Sequence, residues 1–209
     1  GNATQGIDEV HDILIDNNGD IFLVGGIVNQ TTGYDIAIIK LDSNLNLIWQ
    51  QIIDENGLDD VAYGIKLDNT GNIYITGFST SPNESKNIFL KKIDNSGVEL
   101  WGRVLKGESN LDDTGIEVCL INDTTIFITG YIRNNLDADV IISGFNHNGQ
   151  ILCTIEYADD NNLDDIPTSF CKDIDGDLIV SVQVNFNGGF KTKAIKYDVI
   201  KTLPYHAYQ

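Results

Sequence analysis

Residues 60–105 read DVAYGIKLDNTGNIYITGFSTSPNESKNIFLKKIDNSGVELWGRVL, and this stretch decides the fold. It holds four short apolar runs, Tyr63–Leu67, Ile73–Gly77, Ile88–Ile93 and Val98–Leu105, separated by turn residues. The runs are rich in Ile, Val, Leu, Tyr and Phe, and none is long enough for an ordinary helix. Asp68-Asn69-Thr70-Gly71 divides the first two, and Asn95-Ser96-Gly97 divides the last two. Asp and Asn side chains bond their own backbone a residue or two on, and Gly supplies a positive φ, so both read as tight hairpin turns. The segment is predicted to be a four-stranded antiparallel meander, with strands a to d.

The same pattern recurs along the chain with a period of 52 residues. Lys40, Lys92 and Lys196 fall in register, with Gly144 as the departure; so do Asp42, Asp94, Asn146 and Asp198. Trp49, Trp101, Cys153 and Tyr205 align as well. With one residue inserted between the second and third copies, Phe22, Tyr74, Phe127 and Ile179 align, and Gly25, Gly77, Gly130 and Val182 follow. A period of this length means stacked supersecondary units. Strands b and c, such as Ile21-Phe22-Leu23-Val24 and Ile36-Ala37-Ile38-Ile39, alternate little, so each small sheet should be buried on both faces. Blades packed around an axis meet that requirement, and the prediction is an all-β β-propeller of four blades. A stacked β-solenoid is the competing architecture. The chain of 209 residues is expected to be a single domain, with repeats at approximately 8–59, 60–112, 113–164 and 165–209. Because every copy is complete, closure into a monomeric disc is the expected arrangement.

The string Asp60-Val61-Ala62-Tyr63-Gly64-Ile65, followed by Leu67-Asp68 and Gly71-Asn72-Ile73-Tyr74-Ile75-Thr76-Gly77, resembles the SBBP-type β-propeller repeat of bacteria and archaea. Lys92-Ile93-Asp94-Asn95-Ser96-Gly97, Trp101 and Asn110-Leu111-Asp112-Asp113 continue the likeness. It runs through essentially the whole chain and fades in the fourth copy. The resemblance implies a propeller on a secreted or cell-surface protein, with no shared catalytic activity. It also implies seven blades, against the four copies here.

Thirty-one acidic against 13 basic residues give a net charge of −18. Such a surface repels phosphate backbones, which disfavours nucleic acid and anionic membranes. No apolar run approaches the roughly 20 residues of a membrane span. The chain contains no Met, from which a processed form or an excised portion of a longer protein is expected. Three cysteines leave at least one free, although Cys119 and Cys171, at the same place in neighbouring strands a, could be bridged. Sequons at Asn2, Asn29, Asn83 and Asn122 fall in expected loops or at the terminus.

Enzymatic constellations are sparse. His11, His147 and His206 lie in different repeats without metal-ligand spacing, and there is no G-x-S-x-G elbow or phosphate-binding glycine loop. Asp173-x-Asp175-Gly176-Asp177 and Asp16-x-Asn18-Gly19-Asp20 space oxygens as short Ca²⁺ loops do, but hairpin chemistry alone accounts for them, so no cofactor is expected. In a meander the b–c loops and d–a junctions share one edge. That edge should gather the loops 26–34, 78–86, 131–138 and 183–190 with the acidic junctions. Asp60, Asp113, Asp165, Phe78, Tyr131 and Phe186 are therefore the candidate ligand-binding residues, with turn capping as the plainer role for the aspartates. The expected function is a non-enzymatic extracellular or cell-surface structural or interaction module, serving a larger surface protein or assembly through a protein or glycan partner. The alternative is a carbohydrate- or peptide-binding, lectin-like adhesin that uses the b–c loop edge. A dispersed enzyme site ranks third.

Overall fold

The structure is a computed structural model that describes residues 8–82, 84–107, 110–159, 162–186 and 188–199. Every element among these residues is a strand. The first sheet holds β1 (Glu9–Ile15), β2 (Ile21–Asn29), β3 (Gly33–Leu41) and β4 (Leu47–Ile53), in that spatial order. The second holds β5 (Asp60–Leu67), β6 (Ile73–Thr80), β7 (Lys86–Ile93) and β8 (Glu99–Leu105). The third holds β9 (Thr114–Asn122), β10 (Thr125–Arg133), β11 (Ala138–Asn146) and β12 (Ile151–Tyr157). The fourth holds β13 (Asp165–Lys172), β14 (Leu178–Phe186) and β15 (Gly189–Tyr197). All pairs are antiparallel, so each repeat is a meander as the turn spacing requires. The expected fourth strand of the last repeat, with Tyr205 and His206, lies outside the described residues.

In the first, second and fourth sheets one aspartate organises each a–b and described c–d hairpin, and in the third sheet Asn122 and Asn146 take that place. Asp68 N–H bonds the Asn72 carbonyl, while Asp68 Oδ1 accepts the N–H groups of Thr70 and Asn72 at 3.0 and 2.9 Å. Asp16, Asp42, Asp94 and Asp173 repeat the pattern. The closing residue is left-handed, as at Gly71 (φ 83°); Gly19, Gly97, Gly149 and Gly176 fill it elsewhere and Leu45 (φ 66°) in the first c–d hairpin, while the tighter Asn122–Thr125 turn has no left-handed residue. The two aspartate loops weighed as Ca²⁺ ligands thus direct their carboxylates at their own backbone.

Consecutive sheets share three cores. Phe22, Val24, Ile36 and Ile38 of the first sheet meet Ile65, Ile73, Ile75 and Phe89 of the second. Tyr74, Ile88 and Leu90 meet Val118, Ile126, Ile128 and Phe145, and Phe127, Val140 and Ile142 meet Phe170, Leu178, Val180 and Val182. The residue one place along strand b therefore faces the opposite neighbour, which explains the weak alternation. Polar clasps reinforce the stack. Trp49 Nε1 donates to the Asn95 carbonyl at 3.1 Å, and Trp101 Nε1 to the His147 carbonyl at 3.0 Å, each reaching the next sheet's c–d hairpin.

Closure is a correction to the expected disc. No hydrophobic core joins β13–β15 to β1–β4 among the described residues. The reason is chemical. On β14 the residues that face away from the third sheet are Ile179, Ser181, Gln183 and Asn185, where β2 presents Phe22 and Val24 to its neighbour. Ile179 is the one apolar side chain of the four, so this strand gives the first sheet little to bury.

Candidate functional site

The d–a junctions are built on three buried aspartates. Asp60 accepts N–H bonds from Glu55 and Thr80 at 2.8 and 3.0 Å, so one carboxylate ties the incoming strand to the end of β6. Asp113 does the same from Gly107 and Arg133, at 2.7 and 2.8 Å. Asp165 accepts from Asp159 N–H at 2.6 Å, but its buried Oδ1 has no partner. The register explains the difference, because Asn185 N–H, at the position of Arg133, bonds the Asp164 carbonyl instead. Burial pushes the Asp60 carboxyl up to about 6, with the two backbone N–H groups pulling against it. Burial likewise raises Asp113 and Asp165. These three candidates are fully enclosed and bonded to backbone, the capping role anticipated as the plainer one.

The three aromatic candidates lie at strand ends. Loops b–c are shorter than expected because β6 pairs with β7 as far as Thr80–Lys86, which places Phe78 opposite Ile88. Tyr131 pairs with Val140, and Phe186 with Gly189. Each ring carries a cation: Lys86 Nζ lies 4.1 Å from the Phe78 centroid, Lys191 Nζ 4.8 Å from Phe186, and the Arg133 guanidinium 5.5 Å from Tyr131. Such contacts contribute about 0.5–1 kcal/mol each at exposed sites and occupy a ring face that a ligand would otherwise stack on. Of the sequons, Asn2 and Asn83 lie outside the described residues. The Asn29 amide donates to Asp35 at 3.0 Å, and Asn122 caps Thr124.

The structure assembles a second location that the sequence reading missed. His11 and Asp12 of β1, Tyr63 of β5, Ile116 and Glu117 of β9 and Thr168 of β13 line one cleft of about 310 Å³. Strand a of every sheet thus contributes to a common cavity. His11 packs against Tyr63 with centroids 4.4 Å apart and the rings tilted by 51°, and it lies 3.2 Å from the Glu9 carboxylate. Phe78 lies 6.0 Å from Tyr63, and burial raises the Tyr63 hydroxyl, with Tyr131 and Glu9 adding to the shift. One of the expected aromatics, Phe78, is therefore brought against Tyr63.

Asp12 and Glu117 link the walls of this cleft. Ile65 N–H donates to Asp12 Oδ2 at 3.0 Å, and Phe170 N–H to Glu117 Oε2 at 2.9 Å. The corresponding residue of β5 is Gly64, where a Cβ would lie 2.8 Å from the Glu117 Cα. The alternation Asp12, Gly64, Glu117, Ser169 hid the position from a search for repeated residues. Below it, Cys119 is buried, with a thiol pushed up to about 11, and Cys171 is exposed; both are free thiols. Among the described residues no group of three or more His, Cys, Asp or Glu is placed to hold a metal ion, and no helix is long and apolar enough to cross a membrane.

No protein-family model matches the chain, and no curated protein matches it. Solved structures do. A polysaccharide lyase described as a PL25 ulvan lyase superposes with a TM-score of 0.56 at 12% identity, over 89% of this chain and 55% of that one. The same enzyme bound to -[GlcA(1-4)Rha3S]- gives 0.55 at 12% identity, with the same shares. A tail fiber of Staphylococcus aureus phage P68, with a TM-score of 0.36 at 10% identity, is too dissimilar to carry an argument. The chain spans about half the length of these structures. The likeness is one of fold: an all-β stack of antiparallel meanders.

Proposed function

We propose that the chain is a non-enzymatic interaction module of an extracellular or cell-surface protein, built as a four-bladed arc of a β-propeller. The radial reading rests on the cleft to which strand a of all four sheets contributes. One observation carries the module reading: at the loop edge, the junction aspartates and loop aromatics hold the scaffold together. Asp60 and Asp113 each fasten two backbone N–H groups, and Phe78, Tyr131 and Phe186 each lie under a cation of their own sheet. The b–c loops between these fixed points are free to vary in length and chemistry, as binding loops on a rigid frame do. Labelling intact source cells with a membrane-impermeant amine reagent tests the location. The protein should be labelled, and its recovery solely from the unlabelled cytosolic fraction would overturn the reading.

The His11 and Tyr63 rings, which line the cleft with Asp12 and Glu117, favour a second reading, a saccharide-binding module, since rings beside carboxylates suit the apolar face and hydroxyls of an uncharged sugar. A glycan array with the Tyr63→Ala variant as control tests it. Signals that Tyr63→Ala leaves unchanged would place the site elsewhere.

A further inference from the structure

The outer face of the first sheet, turned away from the second, is apolar and open. Register places Ile13, Leu23, Ile39, Ile48 and Ile52 there, opposite the side that carries Leu14, Phe22, Ile38 and Trp49. Ile13 is 59% exposed, Ile48 48% and Ile52 40%; Gln50 lies among them, and the buried Asp35 stands at one end beside Ile27. In the repeat register Ile13 corresponds to Ile65, Leu23 to Ile75, Ala37 to Phe89 and Leu41 to Ile93. All four counterparts are fully buried against the first sheet. The face is thus the same docking surface that the second sheet buries, displayed without its cover. Four strands about 4.8 Å apart and about seven residues long present roughly 450 Å² in plan, at the upper end of what monomers tolerate.

The faces available among the described residues narrow what covers it. The complementary face of each of the first three sheets is already consumed by the next sheet. Among the described residues the fourth sheet's free face is mixed, with Ser181, Gln183, Thr192 and Lys196 between Ile179 and Phe190, so it offers the first sheet a charged and hydroxylated partner in place of an apolar one. The first sheet's face matches itself: it carries no charge at its centre, so two chains of net charge −18 meet there without burying like charges. Two sheets of this size packed face to face bury about 1,000–1,300 Å² in total, the lower edge of stable interfaces.

We infer that two copies of this chain pair through the outer faces of β1–β4 around a two-fold axis, forming an isologous dimer. The inference deepens the module reading and rests on it, naming a second copy as the partner. Multi-angle light scattering and native mass spectrometry at micromolar concentration should give twice the chain mass of 23.0 kDa. Ile13→Lys with Ile48→Lys puts charge on the exposed face, leaves the core untouched, and should weaken dimerisation at least a hundredfold. Ile179→Lys, on the free face of the fourth sheet, should leave the dimer intact. A monomeric wild-type chain overturns the inference, whether its face is bare or protected from hydrogen exchange by its own terminal residues. An open ladder of oligomers, or a dimer split by Ile179→Lys alone, overturns it too. Cell-surface labelling and glycan binding read out independently of mass, so loss of the dimer and loss of the module reading are distinguishable.

Discussion

Gly77→Ala tests the packing logic of the repeat most directly. Gly77 sits on β6 opposite Ala62, beside the β5 bulge between Ala62 and Gly64. A Cβ built there would lie 1.9 Å from the Val61 carbonyl oxygen and 2.9 Å from the Ala62 Cα. The carbonyl belongs to a paired, buried strand, so it must withdraw by about an ångström, and β5 moves with it. Overpacking of this kind costs about 1–3 kcal/mol. Each ladder bond stretched open adds about 1 kcal/mol. Alanine offsets roughly 0.4–1 kcal/mol by stiffening the unfolded chain. The net expectation is a loss of about 2–4 kcal/mol, which corresponds to a fall of about 1 M or more in the urea midpoint. Trp49 and Trp101, both packed into intersheet cores, report the transition by fluorescence. Gly57→Ala is the control: φ is 71° and the Cβ meets open space, so it should cost only about 1 kcal/mol. A Gly77→Ala midpoint no lower than that of Gly57→Ala would refute the close-approach argument.

Asp60→Asn should cost about 1–3 kcal/mol, because the amide presents a donor to one of two backbone donors. Asp165→Asn should be neutral or stabilising, since Oδ1 has no partner to lose; equal losses in thermal denaturation would contradict this. The Asp60 carboxyl is raised to about 6, so the folded state holds that proton more tightly than the unfolded chain does. Its stability contribution is fully present below about pH 4 and is lost as pH rises through about 6. Asp113, Asp139 and Asp165 are raised too, and lose stability in the same direction. Asp42 and Asp94 are lowered by their hairpin bonds, Asp68 likewise against its burial, and Asp173 first by Lys196 and then by its hairpin bonds; their contribution is lost only as pH falls below the ordinary carboxylate range. The melting temperature should therefore be higher at pH 5 than at pH 7.5, and Asp60→Asn should flatten that slope. A melting temperature that rises from pH 5 to 7.5 would refute the assignment. Leu45→Gly relieves a left-handed, exposed residue and should stabilise by about 0.5–1 kcal/mol in urea titration, whereas a loss would show that Leu45 packs against something.

The meanders and their turns were legible because local chemistry sets them. The Asp-x-x-Gly spacing encodes both the side-chain acceptor and the left-handed closing residue, and strand b carries one residue for each neighbouring sheet. The repeat also carried pairwise information. Lys40 bonds Asp20 at 3.0 Å and Lys196 bonds Asp177 at 3.0 Å; the third copy lacks both partners, with Gly144 and Thr125 in place of lysine and aspartate. At Gly144 the Phe127 ring fills the space, 2.7 Å from where a Cβ would stand. The openness of the stack was less legible. It depends on which residues of the last sheet face outward, and Ser181 and Gln183 are informative only once the register is known. The cleft was invisible for another reason: Asp12, Gly64, Glu117 and Ser169 share a position but not a residue type, since each second carboxylate spans a gap that glycine narrows.

The tryptophan clasps give the stack a direction. Trp49 is anchored by a carbonyl 46 residues ahead of it, and Trp101 by one 46 residues ahead again. As the chain emerges from the ribosome, the outermost strand of each sheet waits for the next hairpin before its indole can be seated, so sheets mature one repeat behind synthesis. The third sheet has Cys153 at the tryptophan position and Gly144 at the lysine position. The joint to the fourth sheet therefore has no indole clasp and is held by its hydrophobic core, by the Phe170 N–H bond to Glu117 and by Lys172 reaching the Ile121 carbonyl. Under a pulling force applied at the two ends, the last sheet should peel away first, leaving the first three intact as a smaller cooperative unit.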